Sequence, residues 1–330
     1  MQTLPIHPSS APARSRKGAN AVSSKSPARP QAILQPTGVP ARAVAIVTIV
    51  TPFLVFLGAV YWFFGNGISA LDLGLCMGMY AVTMLGITLG YHRLFTHRSF
   101  KCVAAVKAFL GIAGGMSAQG PVIFWCACHR KHHRHSDEEG DPHSPHYSGG
   151  GWRGILKGCW HSHVGWMLGH AHEPYFRLVP DLIRDRMVLR LSQLYFWWVV
   201  AGIVLPGVLG GLWTQSWAGF FTGVLWGGFV RLFLVHHSTW SINSVCHLFG
   251  ARNYDTGDES RNNLVCALLT FGEGWHNNHH AFPTSARHGL RWWQLDVVYL
   301  LICSLRIFGL VWDVRLPDEI RVEGRPAESV

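Results

Sequence analysis

Three histidine clusters carry the most obvious chemistry in this chain of 330 residues, which contains 20 histidines in all. On an α-helix, positions i, i+3 and i+4 lie within about 100° of arc, so a triplet spaced HxxHH points its imidazoles in one direction. The first cluster is spaced HxxxxH, and five steps rotate about 140°, so its two histidines are expected to straddle a helix end. The clusters comprise His92 and His97, then His129, His132 and His133, and finally His276, His279 and His280.

These eight imidazoles exceed the four ligands of a structural zinc site and could fill two metal sites with coordination positions left open. Neutral imidazole suits zinc, copper, iron and nickel alike, so ligand type alone leaves the metal undecided. The chain contains no HExxH motif, so nothing indicates a zinc-peptidase helix with its glutamate base. The vicinal thiols Cys126 and Cys128 follow no ligand spacing and are expected to be inert.

The elements that position these histidines are apolar helices. Only 14% of the residues are charged and 49% are hydrophobic, too little polar surface for a soluble domain of this size. Between Arg42 and Arg93 the only charged residue is Asp72, and the 40 residues of 191–230 contain none. Because a bilayer core about 30 Å thick needs roughly 20 helical residues per crossing, each stretch predicts two crossings. This composition excludes a soluble enzyme, a nucleic-acid-binding module and a secreted disulfide scaffold.

The predicted fold class is therefore an all-α integral membrane protein, with four transmembrane helices in two hairpins and a cytoplasmic helical cap that holds the histidines. Two weaker apolar stretches, 103–125 and 297–311, are predicted to be helices at the membrane interface. The predicted spans are 44–64, 68–91, 191–212 and 217–234. The predicted organisation is a disordered basic tail over 1–42, the membrane domain over 43–315 and a flexible C-terminal tail over 316–330.

The positive charge is one-sided. The net charge is +10, and all 28 Lys and Arg residues fall in 1–42, 93–190 or 231–330. Because cytoplasmic loops carry excess Lys and Arg, both termini and all three histidine clusters are expected on the cytoplasmic side. That face would attract anionic lipid headgroups and acidic protein partners rather than nucleic acid. The acid-free tail 1–42 fits either a plain cytoplasmic tail or a transit peptide.

The three clusters, in this order, resemble the histidine boxes of membrane-bound fatty acid desaturases. Their surroundings are similar to the Δ9, stearoyl-desaturase-like branch, and the resemblance spans about residues 45–315. The supporting motifs are Gly90-Tyr91, Asp141-Pro142-His143, the segment Ser162 to Trp166, the segment Trp240 to Gly250, and Gly272-Glu273-Gly274-Trp275.

The resemblance implies an O₂-dependent enzyme that introduces a cis double bond, expected at Δ9, into a saturated acyl chain. It implies two Fe²⁺ ions with nine histidine ligands, and an asparagine that holds a water on one metal. Spacing did not single out His247 or Asn243, and both rest on the resemblance alone. Carried over by motif, the ligands are His92, His97, His129, His132, His133, His247, His276, His279 and His280, with Asn243 acting through water.

The substrate carrier is less well defined. Acyl-CoA relatives have a Trp-Ala-Arg-Asp run before the second box and an Arg-Lys pair after the segment Ser162 to Trp166. This chain instead has Trp125-Cys126-Ala127-Cys128 and His170-Ala171, and loss of the Arg removes a bidentate phosphate contact. The segment Ser285 to Trp293 resembles bacterial and plastid-type acyl-lipid enzymes. A lipid-linked acyl chain is therefore favoured over acyl-CoA. Basic residues that could still hold CoA are Arg130, Lys131, Arg153 and Lys157.

Aromatic residues of the apolar segments are candidates to line a tunnel for the acyl chain: Phe124, Trp125, Trp226 and Phe229. The sequence has no haem-binding HPGG motif, so electrons are expected from a separate ferredoxin or cytochrome b5. One rival interpretation is a di-iron lipid or alkane hydroxylase, which would yield an alcohol instead of an alkene. A metal transporter is a second rival, but transport needs ligands at membrane depth, and these clusters lie at the ends of the spans.

Overall fold

Four helices of the computed structural model, which describes residues 41–169 and 175–318, are long and apolar enough to cross a membrane. Each of the four predicted spans falls on one of them, and the predicted all-α membrane fold is confirmed. The predicted tails lie outside the described residues except at their inner edges, since the first helix already begins at Ala41. Spans one to four are Arg42–Asn66, Ala70–Thr96, Tyr195–Thr214 and Trp217–His247.

The spans are built from several helical segments, two of them π-helical, and shorter helices form the cap. The α-helices are α1 (Ala41–Asn66), α2 (Ala70–Leu85), α3 (Ala104–Gly115), α4 (Val122–Arg134), α5 (Gly151–His163), α6 (Pro180–Arg184), α7 (Arg186–Gln193), α8 (Tyr195–Thr214), α9 (Trp217–Gly223), α10 (Arg231–Ser244), α11 (Leu264–Leu269), α12 (His276–Ala281) and α13 (Val297–Ile307). The π-helices are π1 (Gly86–Thr96), which extends α2, and π2 (Val224–Val230), which joins α9 to α10. Strands β1 (Lys101–Cys102) and β2 (Val311–Trp312) pair antiparallel.

Helices α3 and α4 correct the prediction for 103–125. They form two helices separated by a turn in which Ala118 and Gly120 have φ of 57° and 103°. The turn is packed inside the bundle and not at its outer face, because the carbonyl oxygen of Met116 accepts a hydrogen bond from Arg231 of span four (2.9 Å). The carbonyl oxygen of Ser117 accepts a hydrogen bond from His236 Nε2 at 2.8 Å. Irregular backbone at membrane depth needs such partners inside the protein.

The second helix predicted at the interface, over 297–311, is shorter than expected. It ends at Ile307, and Val311 belongs to β2. The buried side of α13 packs through Val298 and Ile302 into a core that also holds Leu89 of π1 and Leu110 of α3. This core fixes the π-helical end of span two against the cap.

Candidate metal centre

Four segments converge at the cap end of spans two and four and bring nine histidines together in two adjoining groups. Within each group, one nitrogen of every imidazole lies within 4.8 Å of the others. The five-histidine group comprises His92, His97, His129, His133 and His279. The four-histidine group comprises His132, His247, His276 and His280. These are the nine histidines that the resemblance assigned as metal ligands.

The spacing of the second and third clusters explains the division. Positions i and i+4 of a helix are about 40° apart, whereas i+3 lies about 60° to the other side. In α4, His129 and His133 therefore join one group and His132 joins the other. In α12 the same rule sends His276 and His280 to one group and His279 to the other. The expectation that each triplet points in a single direction was wrong: each triplet reaches into both groups.

The first cluster reaches one group because its helix is π-helical. The N–H of His97 donates to the carbonyl oxygen of His92 at 3.1 Å, an i to i+5 bond that makes the turn wider than an α-turn. The two rings lie 4.7 Å apart between centroids. His92 lies inside π1 and His97 caps its end, so the expectation that the pair straddles a helix end is confirmed, and the wide turn still brings both rings into one group.

Within the groups, imidazole nitrogens face one another at short distances. His279 Nε2 lies 3.1 Å from His92 Nε2 and 2.9 Å from His133 Nε2. In the other group, His247 Nε2 lies 3.1 Å from His276 Nε2. His97 Nε2 and His280 Nε2 are buried without a hydrogen-bond partner among the described residues. Nitrogen lone pairs crowded in this way are the arrangement that a bound cation would satisfy.

Carboxylates lie against the outer nitrogen Nδ1 of four of these histidines and hydrogen-bond three of them, His132, His247 and His280. A histidine that donates its Nδ1–H outward carries its lone pair on Nε2, facing the group. The pairs are His92 with Glu273 (2.5 Å), His132 with Asp141 (3.0 Å), His247 with Asp137 (2.8 Å) and His280 with Asp258 (2.6 Å). Three of the four carboxylates serve the four-histidine group.

Glu273 belongs to a buried charge network. Its Oε1 lies 2.9 Å from Arg93, and the same guanidinium lies 2.9 Å from Asp296. His288 approaches Glu273 Oε2 at 3.3 Å. Burial raises the pKa of Glu273, but Arg93 and the neighbouring histidines outweigh it and hold the pKa well below its usual range. The carboxylate is therefore ionised, and its Oε2 lies 2.5 Å from His92 Nδ1.

Burial sets the protonation state of most of the histidines outside the spans. It lowers the pKa of His280 to about 4 and holds the pKa values of His97, His129, His133, His276 and His279 well below the usual range. His132 differs, because Asp141 outweighs burial and raises its pKa. Neutral imidazole is the form that binds metals.

The donor set fits a pair of transition-metal ions. Calcium and magnesium prefer oxygen ligands, whereas imidazole suits iron, zinc, copper and nickel. Five and four imidazoles leave coordination positions open on octahedral ions, which a catalytic centre requires. Cys126 and Cys128 lie nearby, but burial raises the pKa of each thiol to about 12, consistent with the inert thiols expected.

Of the remaining predicted site residues, Trp125 contacts a histidine of the groups, whereas Trp226 packs in a separate cluster. Asn243 is half-buried on α10, one helical turn before His247. Trp125 stacks on His129, with centroids 5.1 Å apart, and Phe124 precedes it on α4. Trp226 packs in a separate apolar cluster of spans one, two and four, with Cys76 and Val230, and Phe229 lies on π2. His170 and Ala171 lie outside the described residues.

Sequence reasoning did not assign roles to Asp137, Asp141, Asp258 or Glu273. Two of them, Asp141 and Glu273, lie within motifs that carry the family resemblance. Only a general rule could have pointed to these carboxylates: a metal-bound histidine commonly donates its second N–H to a carboxylate. No local spacing identifies which carboxylate does so, because Asp137 and His247 are 110 residues apart.

The fold and the two histidine groups define a membrane protein with two adjoining candidate metal sites. The chain belongs to the fatty acid desaturase family, whose profile matches residues 68–302. It is 46% identical over 269 residues to a hex-5-enoyl-[acyl-carrier protein] acetylenase of Moorena producens, covering 81% of this chain and 83% of the relative. It is 40% identical to an sn-1 stearoyl-lipid 9-desaturase of Anabaena variabilis (80% and 91%) and 39% identical to an icosanoyl-CoA 5-desaturase of Limnanthes douglasii (76% and 66%).

Proposed function

We propose that this desaturase introduces a cis Δ9 double bond into a saturated acyl chain carried on a glycerolipid, at a pair of irons held by the nine histidines. The observation that carries the proposal is the convergence of nine buried or half-buried imidazoles in two adjoining groups. Asn243, one turn before His247, would hold a water on the second iron. Membership of the desaturase family and the identity to a stearoyl-lipid 9-desaturase support the reaction and its position.

When bound and reduced, two irons supply the O₂ activation needed to remove hydrogen from an unactivated methylene, a step for which side-chain acids and bases have no route. The overall reaction removes two hydrogen atoms from neighbouring carbons. With two electrons from a donor protein and two protons from solvent, O₂ leaves as two waters. The protein's own task is to hold the acyl chain so that one methylene pair faces the metals.

The residues around the centre perform that task by orientation and exclusion of water. Glu273, Asp137, Asp141 and Asp258 hold four imidazoles with their lone pairs inward. Trp125 lies between His129 and Tyr91, with its ring 5.8 Å from Tyr91. It is therefore the best supported of the four aromatic residues proposed to line the acyl tunnel. Phe124, Trp226 and Phe229 remain proposals for the same role farther from the histidines.

The proposed carrier is a lipid because two basic contacts for CoA are lost. Ala127, which stands where the acyl-CoA relatives have Arg, is buried. Arg130 is already engaged, since its guanidinium donates to both carboxyl oxygens of Asp181 at 2.6 and 3.0 Å. It also donates to the backbone carbonyls of Phe95, Thr96 and Leu178. Arg153 and Lys157 of α5 are exposed and remain the basic candidates for a CoA phosphate. The relatives are named for lipid, CoA and acyl-carrier-protein substrates. The carrier therefore has to be tested separately from the desaturation itself.

The proposed electron donor is a ferredoxin or cytochrome b5 that docks on the basic side of the protein. That side is proposed to be the cytoplasm, and both termini and the histidines are proposed to lie there. The supporting observation is that the turns between spans one and two and between spans three and four contain no Lys or Arg. A second candidate activity is acetylenation, favoured by the 46% identity to an acetylenase. The same removal of two hydrogens from an existing alkene would give an alkyne.

The test is expression in a host lacking Δ9 desaturation, with dimethyl disulfide adducts of its fatty acids analysed by gas chromatography and mass spectrometry for each carrier pool. The proposal expects a Δ9 monoene that appears first in intact glycerolipids. First appearance in the CoA or acyl-carrier-protein pool would refute the lipid carrier and leave desaturation standing. Alkyne formation from a supplied monoene would establish the acetylenase, and an alcohol without any alkene would refute desaturation.

A further inference from the structure

Helix α11 and the turn that follows it form an uncharged segment between the fourth span and the third histidine cluster. From Asn262 to Gly272 the chain contains no Asp, Glu, Lys or Arg, although Arg261 and Glu273 flank it. Within its six helical residues, four large apolar side chains are exposed, by 47% to 65%. They are Leu264, Val265, Leu268 and Leu269. An apolar face of this density indicates a partner.

The inner face of α11 packs on the spans. Cys266 lies in a cluster with Ile242 and Cys246 of the fourth span. The hydroxyl of Tyr80 donates to the carbonyl oxygen of Leu269 at 2.7 Å. Tyr80 lies within span two, about three helical turns before His92. The end of α11 is therefore at the level of the spans and not at the level of the histidines.

The turn after α11 also lies at the level of the spans. Phe271 contacts Tyr80 edge to face, with centroids 6.1 Å apart, and packs on Met84 and Val235. Its carbonyl oxygen accepts a hydrogen bond from the N–H of Val298 at 3.1 Å. The chain then continues into α13, whose Leu300 is also exposed. The exposed apolar face thus continues beyond α11.

Several polar groups at both ends of α11 are bonded inside the protein. At the N-terminus, Asn263 Oδ1 accepts the N–H of Cys266 at 3.1 Å. At the C-terminus, the hydroxyl of Thr270 donates to the carbonyl of Cys266, and the N–H of Gly272 donates to the carbonyl of Ala267. With Tyr80 on Leu269, these bonds supply internal partners of the kind that a helix in contact with lipid needs.

We infer that α11 is embedded in the membrane leaflet on the histidine side, with its exposed face against lipid acyl chains. The occupant is lipid because the face is uncharged, is joined to span two through Tyr80 and continues the apolar surface of the spans. Glu273 follows the segment directly and binds His92. The membrane would therefore anchor the segment that leads into the third histidine cluster.

Fluorescence quenching in nanodiscs tests this placement on the full-length chain. Val265→Cys and Leu268→Cys are each labelled with an environment-sensitive dye, in a background in which the half-buried Cys102, Cys159 and Cys303 are replaced by serine. Doxyl-labelled phosphatidylcholine quenches from the acyl region and iodide quenches from water. Leu57→Cys, on a lipid-facing position of span one, is the membrane control. Asp255→Cys, on an exposed loop of the cap, is the aqueous control.

Both α11 positions are expected to be quenched by the doxyl lipid as strongly as Leu57→Cys, with no iodide quenching above that control. Iodide quenching at the level of Asp255→Cys would overturn the inference. Protection from both quenchers would also overturn it, because the face would then be covered by protein such as a second copy of the chain. The use of two positions keeps the test decisive if one variant fails to fold.

Discussion

The backbone N–H of His97 donates to the carbonyl oxygen of His92 across a π-helical turn, with 3.1 Å between the two atoms. A π-turn closes an i to i+5 bond and occurs frequently at functional sites. This bond turns a spacing that an α-helix would splay apart into two imidazoles of the same group. The position of the first cluster therefore depends on the packing that holds π1 in its wide turn.

Gly86→Ala is expected to disrupt that packing, since a Cβ on Gly86 would lie 2.2 Å from the backbone nitrogen of Gly114. Backbone must move, at a cost of about 3 kcal/mol. The thermal unfolding temperature of the purified protein should fall, together with its iron content. Gly58→Ala in span one is the control, because nothing lies within 4 Å of the new Cβ. Equal unfolding temperatures for the two variants would contradict this account of π1.

His276→Ala should remove a ligand from the four-histidine group and leave the five-histidine group intact. Iron per purified chain is expected to fall from two toward one, with loss of desaturation in the expression host. His161→Ala, on α5 outside both groups, should keep two irons and full activity. Retention of two irons by His276→Ala would exclude this histidine as a ligand.

Asp258→Asn tests the carboxylates that orient the histidines. Asp258 lies 2.6 Å from His280 Nδ1, and weakening such a contact costs about 10–100-fold in metal affinity. Titration against a competing chelator, with Mössbauer spectra of the iron-loaded protein, should show weakened binding and a changed signal from one iron only. Asp255→Asn, an exposed carboxylate in the same loop, should change neither. An unaltered spectrum for Asp258→Asn would show that the contact does not orient a metal ligand.

Asp181 should contribute stability that disappears in acid. Burial raises its pKa, but Arg130 and Arg98 outweigh this and lower the pKa from 3.8 to about 2. A carboxyl with a depressed pKa stabilises the fold above its unfolded pKa and loses that contribution as the pH falls through its folded pKa. Asp181→Asn should therefore lower the unfolding temperature at neutral pH, and the difference from wild type should shrink toward about pH 2. A pH-independent difference would contradict the charge pairing.

The sequence predicts the spans and the histidine clusters because both depend on local patterns. Long uncharged stretches define the crossings, and the HxxHH spacing brings His129 and His133 together whatever surrounds them. The lone His247 has no such pattern, and only its resemblance to a family motif marked it. The division of each triplet between two groups follows from helix geometry. It can be assigned only once the structure shows that a second histidine group lies beside the first.

The features that sequence reasoning missed depend on tertiary packing. The helix π1, whose last turn holds His92, begins where Gly86 meets Gly114, a contact between two helices. Asp137 reaches His247 across 110 residues of chain. The turn after α3 enters the bundle because Arg231 and His236 bond its carbonyl oxygens. None of these contacts is encoded in the spacing of neighbouring residues.

The most direct test of the central claim is the mass of the product made by purified, iron-loaded protein in nanodiscs. The sample receives O₂, a reduced ferredoxin or cytochrome b5, and a glycerolipid whose stearoyl chain is deuterated at the Δ9 carbon pair. The account predicts a product that has lost two deuterium atoms from that carbon pair. It should contain a cis double bond there and no added oxygen. A product heavier by one oxygen, with no alkene, would contradict desaturation and identify a hydroxylase.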